Sequence, residues 1–160
     1  MTDDGSDELD ELVGAVLTAS RVLVGVSVRS LAAVEEGVTL TQFRTLVVLQ
    51  SHGPSRLNRL AERLGVTAST ALRMVDRLIA AGLVDRRENE QDRREVVIEL
   101  TADGRSMVDR VTASRKAAIE KIVLAMPTTR RRELVRALFA FAQAADEPIL
   151  VAEAATQRGW

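Results

Sequence analysis

Cysteine is absent from the 160 residues, and aromatic residues are scarce, with three Phe, one Trp and no Tyr. Without cysteine the chain has no disulfide framework, no thiolate nucleophile, no cysteine redox switch and no Cys-based zinc site. A single histidine, His52, leaves very little metal or catalytic-triad chemistry, so we expect no metal site and no cofactor. A core with so few rings must be built from Leu, Val, Ala and Ile, which favours helices packed on helices.

Sequence signatures of enzymes are also missing. The chain contains no Gly-rich phosphate-binding loop and no GxSxG nucleophile elbow. Its length fits one compact domain rather than two independent ones. We therefore predict that the protein is not an enzyme.

Targeting and membrane signals are weak as well. The first dozen residues include six acidic ones, whereas a secretory signal starts with basic residues. The most apolar stretch, residues 12–34, is interrupted by Arg21 and Arg29. Its longest uncharged run falls well short of the roughly 18 residues that a membrane span requires. We expect a cytoplasmic protein with no membrane partner.

The net charge of −1 hides an uneven distribution, because the acidic start leaves the rest of the chain net basic. The basic residues are arginines apart from Lys116 and Lys121. Arginine suits phosphate and guanine, but a GC-rich genome produces the same bias, so this count alone does not identify DNA as a partner. The acidic start can shield the basic face or simply solubilise the chain.

Helical spacing of apolar residues predicts four helices in the first half of the chain. The first is long and ends at residues 35–37. The next three begin at hydroxyl N-caps, which in order are Thr41, Ser55 and Thr67. The last of the four covers residues 68–81.

From Leu83 the apolar period changes to two, which predicts a β-hairpin. Its strands cover residues 83–87 and 96–100. A two-stranded hairpin is not stable alone and must lean on the helices before it. Two more long helices are predicted after the hairpin, the first capped by Thr101 and the second starting at residues 128–129.

Two short helices joined by a Gly-containing turn and followed by a hairpin make a winged helix-turn-helix. Counted from Leu57, the pattern requires a small residue at the fifth place and Gly at the ninth, and Ala61 and Gly65 occupy them. The apolar residues at the fourth, eighth, tenth, fifteenth and eighteenth places are Leu60, Leu64, Val66, Ala71 and Met74. We therefore predict a mainly α fold with a small β-hairpin wing, flanked by long terminal helices.

The second helix of this motif has two faces in a helical-wheel projection. Its polar face consists of Ser69, Thr70, Arg73 and Arg77. Its apolar side consists of Ala68, Ala71, Leu72, Val75, Leu78 and Ile79. Short hydroxyls near the amino end and arginines one turn apart can reach base edges and phosphates. In an ordinary helix such a face is merely solvated, but after a matched helix-turn-helix we interpret it as a DNA-reading face.

The loop over residues 88–95 contains four acids and two arginines. Asp92 lies two places before Arg94 and can hold its guanidinium, and a held arginine at a wing tip suits the narrow, electronegative minor groove. The alternative is a polar hairpin loop with a local ion pair of little energetic value.

Several of these runs resemble the MarR family of bacterial transcription regulators. The resemblance extends by motif from residue 40 to residue 105, and the long flanking helices fit the family in length and order. The motifs are Leu40-Thr41-Gln42-Phe43, LAERLGV at 60–66, VDRL at 75–78, Gly82-Leu83-Val84, Asp92-Arg93-Arg94, Leu100-Thr101 and Gly104-Arg105.

This resemblance implies a homodimer whose amino- and carboxy-terminal helices interlock and present two winged helices to a palindromic DNA operator, as in a repressor. It implies a leader and first dimerisation helix over residues 1–36, a DNA-binding lobe over 37–100, and dimerisation helices over 101–160. Arg94 would contact the minor groove with Asp92 orienting it. The major-groove face would be Ser69, Thr70, Arg73 and Arg77.

Two questions stay open at this stage. Members of this family often release DNA when they sense a small aromatic acid, a metal or an oxidant, and the absence of cysteine excludes thiol oxidation here. A small-molecule effector remains an option, with Arg21 or Arg44 as carboxylate anchors or as ordinary surface residues. The alternative function is a winged helix that binds another protein and not DNA.

Overall fold

The computed structural model describes residues 4–34, 37–88 and 96–146. The elements in these ranges are α1 (Asp4–Ala32), α2 (Leu40–His52), α3 (Leu57–Leu64), α4 (Ala68–Ala80), β1 (Val84–Glu88), β2 (Val96–Leu100), α5 (Ala102–Ala125) and α6 (Thr128–Ala144). This order confirms the predicted mainly α fold with a hairpin wing. Asp92, Arg94 and the tail after Pro148 lie outside the described residues.

Two compact units divide the chain, residues 1–119 and residues 120–160. The first holds the hydrophobic core, which the end of α1, α2, α3, α4, the hairpin and the start of α5 build together. Its buried members are Leu31, Phe43, Leu46, Leu49, Leu60, Val75, Leu78, Leu83, Val84, Ile98, Leu100, Met107, Val108 and Val111. In the second unit, the Arg131 side chain donates hydrogen bonds to the carbonyls of Leu124 and Met126, each at 3.0 Å, and so caps the end of α5.

The turn between α3 and α4 has the geometry that its glycine predicts. Gly65 lies in the left-handed region, with φ 67° and ψ 33°. The N–H groups of Gly65 and Val66 donate to the carbonyls of Glu62 and Ala61, each at 3.1 Å. This arrangement satisfies two free carbonyls at the end of α3, and a side chain at Gly65 would strain it.

The predicted cap of α2 was wrong by two residues. Thr39, not Thr41, is the N-cap, since its hydroxyl accepts the Gln42 N–H at 3.2 Å and the Gln42 side chain accepts the Thr39 N–H at 2.8 Å. This reciprocal capping box satisfies two free donors at once. Thr41 lies inside the helix, where its carbonyl accepts a hydrogen bond from Thr45.

Ser55 also has a different role from the predicted cap of α3. The N-cap position belongs to Arg56 and has no side-chain cap. Ser55 forms an isolated β-bridge with Ile98, because its N–H and carbonyl pair with those of Ile98 at 3.0 and 2.9 Å. The hairpin is therefore tied to the segment before α3 through Ser55.

The caps of α4 and α5 were predicted correctly. Thr67 accepts the Thr70 N–H at 3.2 Å, and Thr101 accepts the Gly104 N–H at 3.0 Å. Thr101 Oγ1 also donates to the Gly82 carbonyl at 2.7 Å. This hydroxyl joins the start of α5 to the end of the α4 segment.

Helix α1 begins at Asp4, so most of the acidic leader is part of the helix and does not precede it. Its buried residues lie near its carboxyl end and are Val26, Ser27, Ser30 and Leu31. Its exposed large apolar residues are Leu9, Leu12, Val13, Leu17, Val22, Leu23, Val24 and Val28. By length and composition alone, Gly5–Ala32 is long and apolar enough to cross a membrane.

Helix α6 has no buried residue. Its exposed large apolar side chains are Val135, Leu138, Phe139 and Phe141. Contiguous exposed apolar surface on a helix usually indicates an interaction site. Within its own unit, neither the exposed apolar face of α1 nor that of α6 is covered by described residues.

Candidate nucleic-acid interface

Helix α4 is placed by its packing against α3. Leu60 and Ala61 on α3 and Val75 and Leu78 on α4 are buried. The methyl side chain of Ala61 allows the two helices to approach closely. The side of α4 that faces away from these residues is left open.

All four polar residues predicted to read DNA lie on that open side of α4. Ser69, Arg73 and Arg77 are exposed, and Thr70 is half-buried. The apolar side of α4 was predicted less accurately. Ala68 is exposed, and Leu72 is 39% exposed because an open groove separates it from the hairpin.

Hydroxyl groups cluster at the amino end of α4 around Thr67. Its Oγ1 accepts the Thr70 N–H at 3.2 Å, donates to Thr70 Oγ1 at 3.0 Å and lies 3.1 Å from Ser69 Oγ. These contacts hold Ser69 and Thr70 beside the first turn of the helix, where free N–H groups and the helix dipole favour an anion. The cluster is a suitable partner for a phosphate oxygen.

The two arginines of α4 are held differently. Arg73 Nε lies 3.4 Å from the Ser69 carbonyl, one turn earlier, so this side chain is directed along the open face. The Arg77 side chain forms no ion pair or hydrogen bond with any other described residue. Both guanidinium groups are exposed and available for an external acceptor.

The acid between Arg73 and Arg77 on α4 is paired with an arginine from the hairpin. Arg86 Nη2 donates to Asp76 Oδ1 at 2.6 Å. This pair reduces the negative potential beside Arg73 and Arg77. Sequence reasoning missed Asp76 and Arg86, which lie in different elements and have no shared motif.

The structure does not test the predicted wing-tip pair, because Asp92 and Arg94 lie outside the described residues. The two strands below the tip pair in antiparallel register, with Arg86 opposite Ile98 and Glu88 opposite Val96.

Comparisons with known proteins agree with this geometry. A family model described as MarR family matches residues 38–96. The transcriptional repressor MdtR of Bacillus subtilis is 36% identical over 87 residues, which are 54% of this chain and 56% of that protein. The transcriptional repressor NicR of Pseudomonas putida is 38% identical over 77 residues, which are 48% of this chain and 49% of that protein. The match spans about half the length of each repressor.

A solved structure matches over nearly the whole of its length. The crystal structure of RV1404 from Mycobacterium tuberculosis is 48% identical, has a TM-score of 0.83, and is matched over 89% of this chain and 97% of that one. The likeness extends past the helix-turn-helix to the long terminal helices.

Proposed function

Because the chain belongs to the MarR family, we propose that it is a sequence-specific DNA-binding transcription regulator that acts as a repressor. The observation that carries the proposal is the open face of α4, where two exposed arginines lie beside a hydroxyl cluster on the second helix of a helix-turn-helix. Arginine can bond guanine in the major groove, and hydroxyl groups at a helix amino end can bond phosphate. MdtR and NicR are both named as repressors, which supports repression rather than activation.

Selection of genomic DNA is the direct test. Sheared genomic fragments are incubated with the tagged protein, and the retained fragments are sequenced. Enrichment of a small set of related sequences supports the proposal. Retention of no fragment above the background of the untagged protein supports the alternative, a winged helix that binds another protein.

We further propose that the protein binds as a homodimer to a palindromic operator. The exposed apolar residues of α1, and separately those of α6, support a second copy as their partner. A two-fold dimer presents its reading helix twice on one side of the duplex, so the half-sites should lie about ten base pairs apart, centre to centre.

We expect Arg73→Ala to relax the base preference of the protein. If Arg73 makes a bidentate contact with guanine, the variant should lose about 1 to 3 kcal/mol at one operator position. The measurement is a titration of the selected fragment and of fragments mutated at each base pair. Arg132→Ala on α6 is a matched control, because it removes an exposed arginine outside the helix-turn-helix. Equal profiles for Arg73→Ala and the parent would remove Arg73 from the reading face.

For the wing we propose that Arg94 enters the minor groove and that Asp92 orients it. Arg94→Ala should weaken operator binding, and Asp92→Ala should weaken it less. Loss of one phosphate-scale charge should make the plot of log affinity against log salt shallower by about 0.9. Titrations at three salt concentrations measure this slope. Coincident curves for Arg94→Ala and the parent at every salt would contradict the assignment, and unchanged melting curves would show that the variants are folded.

We propose a cytoplasmic location and no membrane span for α1. Its carboxyl end is buried in the lobe through Val26, Ser27, Ser30 and Leu31, whereas a spanning helix needs about 20 residues facing lipid. Arg21 and Arg29 interrupt its apolar surface. An interface with a second copy accounts for the exposed apolar residues of α1 without a bilayer.

A small-molecule effector is part of the same proposal. A cleft of about 330 Å³ is lined by Val38, Leu83, Asp103, Ser106 and Arg110, among others. It combines apolar walls with a cation and an acid, which suits a small polar ligand. Arg21 and Arg44 are exposed and do not line it, so Arg110 is the better anchor for an anionic group.

A further inference from the structure

Above its base, where the Leu100 carbonyl accepts a hydrogen bond from Arg105 of α5, the hairpin is attached to the rest of the first unit by polar contacts on two sides at one level. On one side, Ser55 forms its β-bridge with Ile98 of β2. On the other side, Arg86, the β1 partner of Ile98, bonds Asp76 of α4 at 2.6 Å. From this level toward the tip, no described residue of the hairpin forms a hydrogen bond or ion pair with a helix.

Side-chain packing does not fix the angle between the outer hairpin and α4. An open groove of about 380 Å³ separates them, and its lining includes Leu72, Val96, Ile98 and Arg86. Leu72 and Val96 are 39% and 56% exposed, respectively. Ile98 is buried in the core, so packing holds the hairpin up to that level, whereas the exposed Leu72 and Val96 leave its outer part free to tilt.

We propose that the Asp76–Arg86 ion pair is a positioning contact that sets the angle between the wing and the reading helix. The inference rests on the proposed DNA-binding function. Asp76 holds Arg86 and thereby the wing, so that α4 can enter the major groove while the wing enters the minor groove. Without the pair, DNA binding would have to order the hairpin, and that ordering lowers affinity.

Whether removal of the Asp76 carboxylate weakens or tightens DNA binding distinguishes a positioning role from a purely electrostatic one. Asp76 lies between Arg73 and Arg77 in the sequence of α4, on a helix expected to approach phosphates. If the carboxylate acted only by its charge, its removal would tighten DNA binding. If the carboxylate positions the wing, its removal weakens binding although the protein becomes more basic.

Asp76→Ala is therefore the informative variant, with the genomic fragment retained by the parent as the probe. We expect affinity to fall on the order of tenfold, and the melting temperature to change by no more than about 4 °C, since the pair is half exposed. Glu62→Ala is the matched control. It removes the same charge from an ion pair of 3.0 Å with Arg59 that lies within α3, and its affinity should equal or exceed that of the parent.

Two further readouts distinguish positioning from a loss of structure. Hydroxyl-radical footprints of Asp76→Ala should lose wing protection in the minor groove and keep the protection by α4. The absence of cysteine allows spin labels at Ala80→Cys and Glu88→Cys, and the distance distribution between them should broaden in Asp76→Ala without DNA present. In a double-mutant cycle, Asp76→Ala with Arg86→Ala should bind no more weakly than Arg86→Ala alone.

The DNA-binding results distinguish failure of the positioning role of Asp76 from failure of the proposed DNA-binding function. A parent that retains no DNA contradicts the DNA-binding function and the inference with it. A parent that binds, with Asp76→Ala binding equally or more tightly, contradicts the inference alone. An unchanged label-to-label distribution or additive affinity losses in the cycle also contradict it.

Discussion

A chain carrying Leu138→Asp is expected to sediment as a monomer at low micromolar concentration, where the parent sediments as a dimer. Leu138 is 51% exposed within one chain, so the carboxylate does not enter the core of the monomer. In the proposed dimer this side chain is covered, and a buried unpaired carboxylate is strongly unfavourable. The apolar contacts that it replaces contribute about 25 cal/mol per Å² of buried surface.

The same variant should bind the operator far more weakly than the parent. Two winged helices linked in the proposed dimer bind DNA on the order of 100-fold or more tightly than one through avidity. A monomer loses that gain. Ala140→Asp is the matched control, because it adds the same charge to the same helix about 200° away from Leu138. We expect Ala140→Asp to remain dimeric. A dimeric Leu138→Asp, or equal dissociation of both variants, would remove the apolar face of α6 from the interface.

Local signals in the sequence located most of the elements of the winged helix-turn-helix. Gly65 and Ala61 identified the turn because a left-handed residue and a close helix contact each restrict the residue type at a single position. The hairpin was predicted within one residue, since alternation of apolar residues follows directly from a strand with one buried face. The end of α4 was predicted one residue late, at residue 81 and not at Ala80.

Features that depend on tertiary contacts were not predictable from local signals. Thr39 and Thr41 are both plausible caps in the sequence, and the Gln42 side chain decides between them. Ser55 bonds a strand more than forty residues away, which no cap rule anticipates. Leu72 has the residue type of a core position, yet its exposure depends on how closely the hairpin approaches α4.

In the candidate site, too, some features follow from local sequence signals and others depend on tertiary contacts. The polar face of α4 follows from helical periodicity, and the structure places its four residues on the open side. The partner of Asp76 is set by the packing of the hairpin and has no periodic signature. The tip residues Asp92 and Arg94 rest on the family resemblance, and their role stays a prediction.

Gly104→Ala is expected to destabilise the fold, although alanine is the better helix former. Gly104 is the third residue of α5 and is buried, and a Cβ atom there would overlap the backbone carbonyl of Leu83 and lie 3.3 Å from Leu100 Cδ2. The Leu83 carbonyl cannot move freely, because it accepts the Thr101 N–H at 3.1 Å. Helix propensity alone predicts a gain of about 1 kcal/mol for this change.

We expect the clash to outweigh that gain and lower the free energy of unfolding by about 3 kcal/mol, near the upper end for overpacked cores. For a chain of this length, a loss of that size lowers the melting temperature by about 6 to 12 °C. Gly14→Ala on α1 is the matched control, since nothing lies within 4 Å of the added Cβ, and its melting temperature should equal or exceed that of the parent. Thermal unfolding followed by circular dichroism measures both variants at one protein concentration. If Gly104→Ala melts at or above the parent, the α5 helix can shift away from Leu83, and the close contact at the base of the wing is not what fixes its position.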